Sequence, residues 1–249
     1  MSVKRDKIVN FCREYLKVSD FEDYCFNGLQ IEGKQDVKKI VTGVSFSQKL
    51  IKEAIKRKAD MIIVHHGVFV REIGSPLELK GVMKNRIKMV LQNDINLCGF
   101  HLPLDAHLVI GNNASLCKLL GVKNIKPLYV GCQGELEKKM DFKKFAELVK
   151  KKLNTNVYTI NAGGNFVKKI GIISGGASDY FEIAKDAGLD TYMCGEIKEG
   201  AVRKIEEAEI NFISAGHYNT EKLGIKNLGE LLSKKFNIQV EFVDIPCDI

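Results

Sequence analysis

Several familiar signals are missing from this 249-residue chain. Its seven cysteines (12, 25, 98, 117, 132, 194 and 247) include no CxxC pair, and their number is odd. A disulfide framework and a structural zinc knuckle are therefore disfavoured, and a reducing, cytoplasmic setting is expected. With only four prolines and no Ser/Pro-rich stretch, the chain does not read as a string of flexible modules. The longest run free of Asp, Glu, Lys and Arg, Leu153–Val167, is too short and too polar to span a bilayer. Met1–Asn10 mixes charges with no apolar run, so no secretory signal is expected. No phosphate loop of the GxxxxGK[ST] type occurs. Arginine is scarce too (5, 13, 57, 71, 86 and 203), so the net charge of +7 is almost all lysine. Lys56-Arg57-Lys58 and Lys150-Lys151-Lys152 close helix-like segments, where they complement the helix dipole. Basic stretches interleaved with aromatics are absent, which disfavours a nucleic-acid surface and leaves a phosphate-bearing ligand compatible.

What is present is core-forming material. The chain is 45% hydrophobic and 28% charged, enough for one large domain or two ordinary ones. Residues 4–16 read as an amphipathic helix presenting Ile8, Phe11, Cys12 and Tyr15. Strands are expected at 39–45, 61–64 and about 95–100, with helices at 47–58 and about 79–93 between them. The rhythm resumes with strands near 127–130, 156–160, 167–174, 191–193, 210–214 and 238–243. Helices are expected near 141–152, 178–187, 198–208 and 221–235. Strands alternating with helices predict an α/β fold with mainly parallel sheets.

The rhythm also repeats. A shift of 130 residues lays Lys38-Lys39-Ile40 on Lys168-Lys169-Ile170, Ala54 on Ala184 and Asp60 on Asp190. A second echo sets Ile95-Asn96 beside Ile210-Asn211, each followed by a strand, a His and a carboxylate four residues later. This predicts two related α/β halves, 1–124 and 125–249, with a functional site in the cleft between them.

Four of the five histidines follow an expected strand, where open α/β sheets bind ligands. Adjacent strand side chains point to opposite faces. His65 and His66 can therefore share a site only if the strand has ended, with Gly67 permitting a turn; an isolated pair is more often one buried and one exposed His. In His101-Leu102-Pro103-Leu104-Asp105, Pro103 argues for a loop rather than a regular helix. His107 has no evident partner and reads as a surface residue, and Gly111-Asn112-Asn113-Ala114 reads as a turn into a helix. Asn219 or Thr220 can cap the helix that follows Gly216-His217-Tyr218, placing Glu221 in its first turn and His217 in the loop before it. Together, three histidines and the two carboxylates Asp105 and Glu221, at strand ends in both halves, match the donors of a divalent metal site suited to Zn, Fe, Mn or Co. The lack of Cys disfavours structural zinc. Five ligands suit two cations roughly 3.5–4 Å apart sharing a carboxylate better than one cation with open positions.

The segments MIIVHHGVF, NDINLCGFHLPLDAH, GNNASL and SAGHYNTEKLGIKNL resemble the Nif-three-like dinuclear metal-centre family, whose members often carry the name GTP cyclohydrolase I type 2 homologue. The resemblance runs from FNGLQIEG at 26–33 to the last strand, and corresponds to the family's short form. It implies His66 and Asp105 on one metal, His65 and His217 on the other, and Glu221 bridging. His101 lies outside that set and is assigned to orientation of a ligand or to proton transfer as the catalytic candidate; Glu196 is a weaker one. The resemblance further implies a ring-shaped homohexamer and a hydrolase that opens the purine ring of GTP with loss of formate, lysines holding the triphosphate. From a different class come a ring that binds nucleic acid or acts as a scaffold around structural metals, and a metal-storage protein.

Overall fold

The computed structural model describes residues 2–70 and 78–247. Two compact units emerge: Met1–Leu104 with Ile225–Ile245, and Asp105–Gly224.

In the first unit, β1 (Val3–Lys4) leads into α1 (Arg5–Tyr15). After α1 come β2 (Gly28–Ile31) and β3 (Asp36–Val37), and β3 pairs with β1. Next are β4 (Lys39–Ser45), α2 (Gln48–Lys56), β5 (Met61–His66), α3 (Gly81–Gln92) and β6 (Asn96–Gly99). The apolar centre of β4 is buried throughout, as expected of an inner parallel strand covered on both faces. The Ser47 side chain caps α2 by accepting from the Leu50 N–H, and the helix buries Leu50, Ile51 and Ala54. Strands β4, β5 and β6 run parallel, and β2 closes one edge antiparallel to β6.

The second unit starts with α4 (Leu102–Ala106), where the chain crosses over from the first, and α5 (Asn112–Leu119). It continues through β7 (Val122–Leu128), β8 (Gly131–Asp141), α6 (Phe142–Leu153), β9 (Tyr158–Ile160) and β10 (Phe166–Ile172). Then follow α7 (Phe181–Asp186), β11 (Thr191–Cys194), α8 (Glu199–Glu207) and β12 (Asn211–Ser214). Strands β10, β11 and β12 are parallel, with β8 and β9 antiparallel on their flanks. Finally α9 (His217–Phe236) carries the chain back to the first unit, where β13 (Gln239–Phe242) pairs parallel to β4.

The repeat seen in the sequence is a repeat of hydrogen bonds. Asp60 Oδ2 accepts the N–H groups of Lys38 and Lys39 at 2.9 and 3.1 Å. Asp190 Oδ2 accepts those of Lys168 and Lys169 at 3.0 and 2.8 Å. Asn96 accepts from Gly33 N–H at 2.9 Å and donates to Lys34 O at 2.8 Å. Asn211 does the same with Gly163 N–H at 3.0 Å and Gly164 O at 2.9 Å. One Asp and one buried Asn thus tie the strand starts together in each unit.

Several elements differ from expectation. The units do not divide linearly at 124/125: α5 buries Ala114, Leu116 and Cys117 in one cluster with Phe145 and Val149 of the second unit, and β13 completes the first unit's sheet. The strand expected at 127–130 is the end of β7 and a turn through Tyr129, at φ 55°. Its partner β8 escaped notice because its outer half is charged and exposed. Strand β5 continues through His66 rather than ending before it. Gly67 is needed for room: a Cβ there would strike the Gln30 carboxamide. Leu102–Ala106 is a short helix, tolerated because Pro103 sits in its first turn, where a missing N–H costs nothing. Helix α9 starts at His217, so Thr220 lies inside it and donates to the Gly216 and His217 carbonyls instead of capping it. His107 is not partnerless: its Nδ1 accepts the Val109 and Ile110 N–H groups at 3.2 and 3.3 Å. Among the described residues, no helix is long and apolar enough to cross a membrane.

Candidate metal centre

In the first unit, the carboxyl ends of β5 and β6 bring three imidazoles together. Ligand atoms of His65, His66 and His101 lie within 4.8 Å of one another. Each ring is held by Nδ1. His65 Nδ1 donates to the Phe100 carbonyl at 2.9 Å, which can only accept; the neutral ring therefore keeps its lone pair on Nε2. His101 Nδ1 faces Asp23 Oδ1 at 3.0 Å. His66 Nδ1 lies 3.0 Å from the Ser45 hydroxyl. Anchoring at one ring nitrogen fixes the direction of the other, the usual support for a metal-ligating or proton-transferring histidine. The pleat does not separate His65 from His66: their ring centres are 4.6 Å apart at the end of β5.

Asp23 is committed to this task. It is buried, and it accepts from Cys25 N–H, Asn27 Nδ2 and Leu102 N–H as well as facing His101. Burial opposes its charge, yet the His101 contact and these donors outweigh it and hold the carboxyl down at about 2. Asp23 and Cys25 can also be grouped with His101 as metal donors, but the oxygens of Asp23 already serve the histidine and the loop.

The second unit holds the remaining predicted residues. Asp105, buried in α4, accepts from Asn112 Nδ2 at 2.8 Å and from the Ser174 hydroxyl at 3.0 Å. Asn113 donates to the Asp105 carbonyl and accepts from Ser174 N–H, and Asn112 accepts from Gly224 N–H in α9. The tandem Asn112-Asn113 therefore knits α4, the end of β10 and α9 around Asp105. On α9, His217 and Glu221 share a face four residues apart, with Nε2 3.0 Å from Oε2. His217 Nδ1 lies 3.3 Å from Glu196 Oε1. Burial alone would lower the imidazole, but Glu221 and Glu196 raise it to about 9. Gly175, at φ +70° after β10, admits no side chain: a Cβ would run into Glu221 Oε1 and come within 3.1 Å of His217 Nε2.

The sequence comparisons point one way. The family described as Duf34/NIF3 (NGG1p interacting factor 3) matches residues 3–248. The chain belongs to the Duf34/NIF3 family. A Haemophilus influenzae member named GTP cyclohydrolase 1 type 2 homolog is 43% identical over 98% of both chains. The Escherichia coli K12 protein of the same name is 38% identical over 98% of this chain and 99% of its own. The crystal structure of TTHA1606 from Thermus thermophilus has a TM-score of 0.92 at 30% identity, covering 99% of this chain and all of that one (100%).

The donors fit a divalent metal. They are imidazoles and carboxylates, the set chosen by Zn, Fe, Mn and Co. Three are anchored imidazoles, and the glycine at 175 keeps the space beside Glu221 and His217 clear. Of the residues singled out in the sequence, the structure gathers His65, His66 and His101 in one cluster, pairs His217 with Glu221 and holds Asp105 in a buried network. Sequence reasoning missed Asp23, Ser45 and Ser174, each a single residue in an ordinary loop or strand end with no spacing signal. The pair Asn112-Asn113 did carry one: two tandem amides at a helix start are more than a turn needs.

Proposed function

We propose that this protein is a metal-dependent hydrolase of purine nucleotides, GTP-like in substrate. In this reading His65, His66, Asp105, His217 and Glu221 hold two divalent cations, and the chain assembles as a homohexamer in the cytoplasm. The observation that carries it is the imidazole cluster at the end of β5 and β6, where three rings converge with each Nδ1 anchored. Such cations acidify water, so that a hydroxide nucleophile is available near neutral pH. Glu221 and Asp105 supply negative charge to offset the cations, and both are buried in polar networks that hold their positions. His101, its Nδ1 proton directed at Asp23, presents Nε2 to accept or return a proton during ring opening. Support for the substrate comes from the relatives, whose printed name refers to GTP cyclohydrolase. Two hydrolyses at C8 of the purine are needed: the first water opens the imidazole ring to a formamide, and a second cleaves that formamide to the amine and formate. Formate release from GTP by purified, metal-loaded protein tests the reading, against Glu221→Ala as control. Release above that control is expected, and equal release by both proteins contradicts it.

A further inference from the structure

Beside the imidazole cluster, and wholly within the first unit, lies a cavity of about 660 Å³. That volume falls in the range of small-molecule sites, roughly 300–1,000 Å³. Four aromatic rings line it: Phe21, Tyr24, Phe26 and Phe69. Tyr24 and Phe26 are 52% and 50% exposed, which is unusual for rings of this size. Arg13 is the only cation lining the cavity among the described residues.

The cavity is built rather than incidental. The Gln30 carboxamide clamps its two loops, donating to the Phe26 carbonyl at 2.7 Å and accepting from Val68 N–H at 2.7 Å. Phe26 N–H donates to the Phe69 carbonyl at 3.0 Å, and Cys25 forms a bridge with Val70. Neither Asp23 nor Asn27 is spare, since Asn27 donates to Asp23 and to the Cys25 carbonyl and accepts from His101 N–H. What the cavity offers a ligand is therefore its ring faces and the Arg13 guanidinium. Tyr24 also joins the cavity to the cluster: its ring meets His101 edge-on at 5.0 Å, with the hydroxyl 3.4 Å from His101 Nε2.

We propose that this cavity is the recognition site for the planar heteroaromatic ring of the substrate, stacked on Tyr24 and Phe26, with Arg13 meeting its polar or anionic edge. A ring stacked on Tyr24 lies one side chain away from His101, which the Tyr24 ring meets edge-on. The proposal rests on the nucleotide-hydrolase reading above and adds to it where the base is held.

The test uses guanosine and, separately, inorganic triphosphate as probes in equilibrium binding to the full-length, metal-loaded protein. The variants are Tyr24→Ala and Phe26→Ala, whose half-exposed side chains are not needed for the core, and metal content is measured in each. Base–aromatic stacking predicts guanosine binding weakened about tenfold or more in each variant, with triphosphate binding and metal content unchanged. Guanosine binding that is absent from the wild type, or equal in wild type and both variants, overturns the proposal. Metal retained in that case leaves the metal-site reading standing, whereas absent metal in the wild type removes that reading itself.

Discussion

At the scale of single residues, the candidate centre depends on groups that donate no ligand. Asp23, Ser45 and the Phe100 carbonyl each hold one imidazole by Nδ1, and Asn112 with Ser174 holds Asp105. Asp23→Asn keeps the shape of the side chain but removes its charge, and its amide can present a donor toward His101. Supporting groups of this kind typically change affinity or activity by about 10–100-fold. With His101 placed in proton transfer and not on a cation, Asp23→Asn is expected to lower formate release by that factor and to alter its pH profile, with metal content retained and the fold kept by circular dichroism; unchanged release and pH profile would mean that His101 takes no part. Gly175→Ala tests the centre from the other side. Its Cβ would push on Glu221 and His217, and φ of +70° is strained for alanine, so metal occupancy should fall even though no ligand is changed.

At the scale of elements, the Asp just before β5 and β11 pins the start of the strand beside it. Hydrogen bonds to a charged acceptor contribute about 1.5–3 kcal/mol. Replacing Asp60 by Ala removes the acceptor of two backbone N–H groups and of Lys34 Nζ. It should cost about 2 kcal/mol, lowering the Tm by roughly 4–8 °C in a protein of this size; a shift under a degree would show that the repeat is sequence echo without energetic weight. The pH dependence follows in sign. Burial works against the Asp60 charge, but Lys34 and the N–H groups of Lys38 and Lys39 prevail and hold the carboxyl below its ordinary value. Its contribution is thus fully present above the unfolded carboxylate value of about 3.9 and disappears as pH falls through the lower folded value. Thermal scans of wild type and Asp60→Ala should differ most at neutral pH and converge in acid.

Most of these elements were legible because their signals are local. MIIV and KIVTGVS are buried on both faces, and the helices after them carry clear apolar stripes. The illegible parts depend on partners far away in sequence. Charged β8 is a strand because β7 and β10 flank it, and β2 is one because β6 does. Histidine was readable at the site because four of five follow strands, whereas Asp23 could not be singled out from its neighbour Asp20 until His101 was seen 78 positions away.

At the scale of the whole molecule, duplication and family membership agree. Each unit uses the same Asp and Asn ties around three parallel strands, and the family match spans residues 3–248. Three anchored imidazoles lie at the strand ends of one unit, and a carboxylate–imidazole pair and a held aspartate lie in the other. The central claim is that these donors bind metal. Metal per chain, measured by mass spectrometry on native protein and on Glu221→Ala, tests it most directly. About two equivalents in the native protein, falling sharply in the variant, are predicted. Little metal in either, unrestored by added Zn, Mn or Fe, would contradict it.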